Sequence, residues 1–324
     1  DSYGGSLSFG YPIDENQSLS ASIGIDQTKV RTGPSVSTYI RDYLLANGGK
    51  ATGTSTYCPT GVPEKDLDQK DIPGTCKDGF KDYPSAFEGE FLTYTLNLGW
   101  SYNTLNRPIF PTSGMSHRVG LEVGIPGSDV DYQKLTYDAQ AFMPLWGGFV
   151  LRGYGKLGYG NDLPFYKNFY AGGYGSVRGY DNSSLGPKYP SVIFQETAQP
   201  DQDQEEVGGN ALVQFGTELA LPLPFKGDWA RQVRPVLFAE GAQVFDTKCD
   251  VPSGNILVNS SNVDIKQYCK DNYNFNFDNM RYSVGVGFTW ITMIGPLSLS
   301  YAFPLNDKKG DDTKSIQFEI GRTF

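Results

Sequence analysis

The 324-residue sequence has one histidine, four cysteines, four methionines and only 19% charged residues. It also has no run of about 18 consecutive apolar residues, so it encodes no transmembrane helix. Crossing by strands is untouched by that absence. A barrel strand spans the bilayer in about 9–11 residues and turns only alternate side chains to lipid. A mean hydropathy of -0.39 is blind to such a pattern. The lone histidine, His117, lies in FPTSGMSHRVGLEV at a turn-to-strand junction. A Ser-His-Asp relay would have to use it, and the site reads instead as a polar residue at a strand rim. No GxSxG elbow occurs. The glycine-rich run AGGYGSVRGY at 171–180 lacks the Gly-Lys-Ser/Thr ending of a phosphate loop and is not followed by a helical pattern. Neither cysteine pair has CxxC spacing, so a zinc site is not expected. No catalytic residue, metal or cofactor is expected. The net charge of -9, with no long basic run, argues against a nucleic-acid surface. The first residues show no charged-then-apolar leader, which leads us to expect a mature or truncated chain.

What is abundant is glycine, with 39 residues, and aromatics, with 21 Tyr and 20 Phe. These are arranged with period two, the pattern of strands whose two faces differ. Leu92, Tyr94, Leu96, Leu98 and Trp100 oppose Thr93, Thr95, Asn97, Gly99 and Ser101. Met280, Tyr282, Val284, Val286, Phe288 and Trp290 oppose Arg281, Ser283, Gly285, Gly287 and Thr289. At the end, Ile316, Phe318, Ile320 and Phe324 oppose Gln317, Glu319, Gly321 and Thr323. The alternation predicts eleven strands, near 3–11, 17–30, 87–103, 115–125, 132–145, 148–160, 208–221, 232–245, 280–292, 296–304 and 314–324.

A soluble sandwich also has one polar face, but water would fill that face with Lys, Glu and Asp. Here it is mostly Ser, Thr, Gly, Asn and Gln, and the apolar faces end in aromatics, as membrane girdles do. Short links at 12–16, 146–147 and 293–295 alternate with long ones at 31–86, 161–207 and 246–279, which are read as structureless. Barrels in the outer membrane have such short periplasmic turns and long external loops. The fold class is therefore all-β, a transmembrane antiparallel barrel. Eleven is odd, whereas single-chain bacterial barrels have even counts, so either one strand escapes the pattern or the N-terminus is cut, and a chain that opens directly on a strand favours the cut.

The cysteines pair locally, Cys58 with Cys76 and Cys249 with Cys269, each pair in a polar link. That suggests disulfides in an oxidising compartment. The link 161–207 is unusual for an external loop, because NFYAGGYGSVRGYDNSSLGP mixes aromatics and glycines around one arginine, Arg178. Shielded from water, Arg178 would need a carboxylate, and Glu218 and Glu240 are the acidic candidates on nearby strands.

The run FYAGGYGSVRGYDNSSLGP resembles the signature of the BamA family of outer-membrane assembly proteins. FPTSGM at 110–115, IPGSD at 125–129, VGGN at 207–210 and FEIGRTF at 318–324 agree with it along the whole chain. TamA, the FhaC-type secretion pores and the organelle import barrels share the VRG loop. LGP after the loop and VGGN before the next strand look more like BamA. The resemblance implies a barrel of about sixteen strands preceded by periplasmic POTRA domains. The chain would then be the C-terminal part of that barrel, from about the sixth strand on. It implies a loop, Val177-Arg178-Gly179-Tyr180, folded into the lumen, with Arg178 on Glu218 and Glu240. It also implies a lateral gate at the last strand, carried here by Ile316, Phe318, Ile320, Gly321 and Phe324, with Arg322 near the interface. The implied partners are unfolded outer-membrane barrel proteins, lipoproteins of the assembly complex and the lipid bilayer, in the outer membrane of a Gram-negative bacterium. A TamA-like translocation barrel or a passive pore would show the same alternation.

Overall fold

The structure is a computed structural model and describes residues 1–33, 36–57, 81–190, 204–223, 232–249, 255–258, 261–293, 295–308 and 310–321. Eleven strands follow one another as a meander: β1 (Ser2–Pro12), β2 (Gln17–Arg31), β3 (Lys81–Asn103), β4 (Gly114–Gly124), β5 (Gln133–Pro144), β6 (Val150–Asn161), β7 (Ala211–Ala220), β8 (Val233–Phe245), β9 (Arg281–Thr292), β10 (Gly295–Pro304) and β11 (Ile316–Ile320). Each pairs antiparallel with the next in a single sheet, and a short strand, Lys50–Tyr57, joins it beside β3. Among the described residues β1 and β11 are the two ends of the path and do not pair with each other.

Register turns the period-two pattern into two unlike surfaces. Ile23 lies opposite Leu96, Leu98 opposite Leu121, and Phe288 opposite Leu299, so the apolar rows run continuously across strands. These rows are the exposed ones: Leu7 is 64%, Ile23 62% and Phe318 55% accessible. The opposite face is polar, and from β3 onward much of it is covered. Thr93, Thr95, Ser283, Thr289, Ser298 and Ser300 are all buried, and Thr289 Oγ1 lies 2.9 Å from Ser298 Oγ. In water such a sheet would be inside out, because burying apolar area is the main driving force of folding. In lipid the exposed apolar rows are the correct exterior, and every interior strand has its backbone groups satisfied by its two neighbours.

All links from even- to odd-numbered strands lie at one end of the sheet, and all links from odd to even at the other. The second set is short, for example 13–16 and 145–149. The first set holds the three long links, and they are not structureless as the sequence suggests. The link after β2 carries α1 (Thr38–Ala46), N-capped by Ser37, whose side chain accepts from Ile40 N–H. The link after β8 carries α2 (Ile265–Tyr273), capped by Asp264. Each has a capping residue just before its first turn, but these helices are too short for periodicity to reveal. The long links pack on the strands beside them to build the main apolar core, which includes Leu44, Phe91, Phe165, Val177, Tyr180 and Cys249. Tyr39 stacks on Tyr189 at 5.2 Å, and Tyr43 meets Phe165 edge-on at 5.4 Å. Cys249 and Cys269 are disulfide-bonded, with Cα atoms 5.7 Å apart. Cys58 and Cys76 lie outside the described residues.

Several strand boundaries differ from the sequence reading, and β3 begins at Lys81, six residues before the expected start at 87. Met280 is fully buried and precedes β9 instead of joining its apolar row. β11 runs only from Ile316 to Ile320. Gly321 has φ 91° and ends the extended run, although its N–H still donates to Pro296 O at 2.8 Å. Arg322 and Phe324 are outside the described residues.

A charge introduced on the two faces should have unequal effects. Leu98→Arg, on the apolar face of β3, should destabilise the folded protein by about 2–4 kcal/mol, as arginine does near a bilayer midplane. Asn97→Arg, on the polar face and opposite Glu122, should change stability by less than about 1 kcal/mol. Urea titrations in lipid vesicles, read by heat-modifiable gel mobility, would show this order. Equal losses would contradict the assignment of faces.

Candidate functional site

The link between β6 and β7 folds back along the polar face instead of standing away from it. Its path depends on close approach. Phe169 lies so near β6 that a Cβ on Gly158 would be 2.5 Å from its ring. Gly172 has φ 103°, and a Cβ there would meet Asp181 O at 2.4 Å. A side chain at Gly158 would push the loop off the wall, and one at Gly172 would spread the loop itself. The segment then turns sharply, with Gly173 N–H donating to Val177 O and Tyr180 O at 3.2 and 3.1 Å.

This turn delivers Arg178 to the wall with 1% of its surface accessible. Its Nη2 lies 2.6 Å from Glu218 Oε1 on β7 and 2.5 Å from Glu240 Oε1 on β8. Its Nε donates to Glu240 Oε1 at 2.9 Å, and its backbone N–H to Glu240 Oε2 at 2.8 Å. The guanidinium lies over the Phe238 ring at 3.5 Å. Burial opposes the charge on Arg178, but Glu240 and Glu218 outweigh it and raise the pKa above the ordinary arginine value. Val177 and Tyr180 are fully buried beside it, and Gly179 has φ 96°.

Several residues of this site were not singled out from the sequence. Arg152 on β6 lies directly opposite Glu218 in the register and holds the other carboxylate oxygen, with Nη1 to Oε2 at 2.8 Å. It is itself oriented by Gln140 Oε1, at 3.2 Å from Nε and 3.0 Å from Nη2. Tyr154, two residues on and on the same face, donates to Glu240. Gln214 on β7 donates to the carbonyls of Gly175 and Ser176 at 3.3 and 3.4 Å. Glu218 thus binds the loop with one oxygen and Arg152 with the other, while Glu240 binds the loop with both and shares Oε1 with Tyr154. Two arginines face two glutamates, so the buried cluster carries no net charge. The register would have revealed Arg152, since a residue opposite Glu218 shares its face.

At the other end of the sheet, the link 104–113 reaches across the same face. Arg234 on β8 donates from Nη1 to Pro111 O at 3.0 Å and lies 5.6 Å from the Phe110 ring. The sheet therefore curls enough for the β3–β4 link to touch β8. His117 faces the apolar side instead, with Nδ1 2.8 Å from Tyr137 Oη and its ring stacked on Tyr137. Among the described residues no group of three or more His, Cys, Asp or Glu could hold a metal ion.

The chain matches the Omp85 superfamily domain over residues 1–324. It belongs to the Omp85 superfamily. The outer membrane protein assembly factor BamA of Neisseria meningitidis serogroup B is 34% identical over 238 residues, which is 71% of this chain and 29% of that protein. The mouse sorting and assembly machinery component 50 homolog is 27% identical over 251 residues, covering 73% of this chain and 46% of that protein. Among solved structures, BamA from Haemophilus ducreyi lacking POTRA domains 1-3 superposes with a TM-score of 0.71 at 28% identity, covering 98% of this chain and 53% of that one. This Omp85 chain therefore spans less than a third of the Neisseria relative and about half of the solved one.

Arg152 provides a test of the cluster. Arg152→Met should leave Glu218 Oε2 buried without its cation and weaken docking of the loop by about 3 kcal/mol or more. Adding Glu218→Gln should recover most of that loss, because the unpaired charge is then gone. Docking can be read as amide hydrogen exchange of a peptide covering 172–182. Exchange there unchanged by Arg152→Met would remove Arg152 from the cluster.

Proposed function

We propose that this chain is the C-terminal part of the barrel of an outer-membrane protein assembly factor, in a Gram-negative bacterium. It would fold and insert other β-barrel proteins by strand templating, with no covalent step and no cofactor. Periplasmic POTRA domains and the remaining barrel strands would lie in the rest of the protein. The observation that carries the reading is the Arg178–Glu218–Glu240 clasp, which holds a long link inside the sheet. A simple diffusion pore gains nothing from a buried, charge-balanced bolt across its polar face. The names of the Neisseria and Haemophilus relatives support the same reading.

The physical task is to bring an unfolded strand into hydrocarbon with its backbone satisfied. Each unpaired N–H or C=O there costs several kcal/mol. A strand edge that pairs with the incoming chain removes that cost one residue at a time. β11 is suited to be such an edge. It is five residues long, and Ile316, Phe318 and Ile320 face the lipid side at 62%, 55% and 54% accessibility. Gly321 ends its regular pairing. We assign the lateral gate to this strand, with Phe324 as its terminal aromatic. Partners would be unfolded barrel proteins at the gate and lipoproteins of the assembly complex, mainly through the periplasmic domains.

The test uses the full-length protein with its lipoproteins, reconstituted in liposomes and supplied with a urea-unfolded barrel protein. Folding is followed by heat-resistant gel mobility of the substrate. Arg178→Ala should slow substrate folding at least tenfold while the factor itself stays folded. Arg178→Lys, which has one ammonium in place of a fork, should not restore the rate. Full activity in Arg178→Ala would refute the role given to the clasp.

A further inference from the structure

The wall is not the only thing the Val177–Tyr180 turn holds. Immediately after Arg178, Gly179 and Tyr180 pair antiparallel with Lys314 and Thr313, just before β11. Asp181 N–H donates to Asp312 O at 2.8 Å, and Lys314 Nζ lies 3.6 Å from Asp181 Oδ1. From β11 itself, Gln317 reaches in and donates from Nε2 to Tyr180 O at 2.6 Å. Gln317 is 5% accessible, and its Oε1 has no hydrogen-bond partner among the described residues. Its neighbours across β10 are small: Ser300 stands directly opposite. A buried amide with half its hydrogen-bonding capacity unmet is costly, and a serine would fit the face without that penalty. The long side chain is explained by the carbonyl it reaches.

We propose that Gln317 and the Gly179–Tyr180 ladder couple the Arg178 clasp to the last strand, so that the two loosen together. Arg178 and Tyr180 are two residues apart on one rigid turn, closed by the Gly173 hydrogen bonds to Val177 O and Tyr180 O. Withdrawing Arg178 moves the carbonyl that Gln317 binds. Freeing β11 removes the strand that holds Tyr180 against the wall. Coupling of this kind must act equally in both directions, because it is one free energy shared by two sites. A residue with a purely local structural role would loosen its own strand and nothing beyond it. Gln317 is thus a positioning residue, acting on the clasp through Tyr180. The proposal rests on the reading of β11 as the gate for its functional meaning, but the coupling itself can be measured without that reading.

The experiment is amide hydrogen exchange on the full-length protein in lipid nanodiscs, followed by mass spectrometry. Peptides covering 178–182 and 312–320 are compared with 211–220 on β7 as an internal control. Gln317→Leu should raise exchange at least fivefold in 178–182 as well as in 312–320. Arg178→Ala should do the same to both peptides, with 211–220 unchanged in each variant. If Gln317→Leu does not fold, Gln317→Asn replaces it, since it keeps an amide on the face but falls one methylene short of Tyr180 O. Faster exchange confined to 312–320 in the Gln317 variant, or to 178–182 in Arg178→Ala, overturns the coupling. Assembly is assayed on the same samples. Coupled exchange with undiminished assembly supports the link and rejects the clasp's part in the function proposed above.

Discussion

A single-layer sheet with lipid on one side has no place for an ordinary apolar core. One row of side chains must be apolar toward the membrane, and the other must then be polar, because both faces cannot be covered by the same sheet. Everything else in this protein follows from that inversion. The polar face is lined largely by Ser, Thr, Gln and Gly, with few apolar side chains such as Phe238 to seat a plug. A segment that settles there must therefore bind mainly by charge and hydrogen bonds. The Val177–Tyr180 turn satisfies this with one guanidinium shared by two carboxylates, and its apolar residues, Val177 and Tyr180, join the core built by the long links.

The clasp is better understood as a fit than as a source of stability. Buried ion pairs repay little of their desolvation, and an apolar substitute is often as stable. What the pairing supplies is a discrete position. Arg178 cannot be displaced slightly without exposing Glu218 and Glu240 to a low-dielectric space with too little positive charge. The second cation changes the consequence of full withdrawal. With Arg152 on Glu218 Oε2 and Tyr154 on Glu240, the wall keeps a partner for each carboxylate when the loop is absent.

How much of this the sequence reveals depends on the range of the interaction. Period two identified the eleven strands of the meander, because alternation is local and repeated, as in Leu92 to Trp100, but it missed the twelfth strand of the sheet, Lys50–Tyr57. The acidic partners of Arg178 were legible too, since shielding one arginine demands carboxylates and only a few stand on nearby strands. Arg152 was not, because its relevance comes from register, a property of two strands together. Neither was α1 or α2, each nine residues long and held by packing among links far apart in sequence. Gln317 was seen only as one member of a polar row. Its reach to Tyr180 spans 137 positions and leaves no periodic trace.

The two ends of the turn differ in kind, and that difference gives the loop direction. Toward the wall, Arg178 meets β7 and β8, which are each paired on both sides along ten or more residues. Toward the other end, Tyr180 meets β11, paired through five residues to β10 alone among the described strands. A bolt between a firm wall and a lightly held strand transmits disturbance mainly one way in amplitude, even though the coupling energy is reciprocal. Motion of β11 strains the clasp, whereas the wall barely responds. In the coupling proposed above, this Omp85 chain registers the state of β11 on its inner face through the Val177–Tyr180 turn.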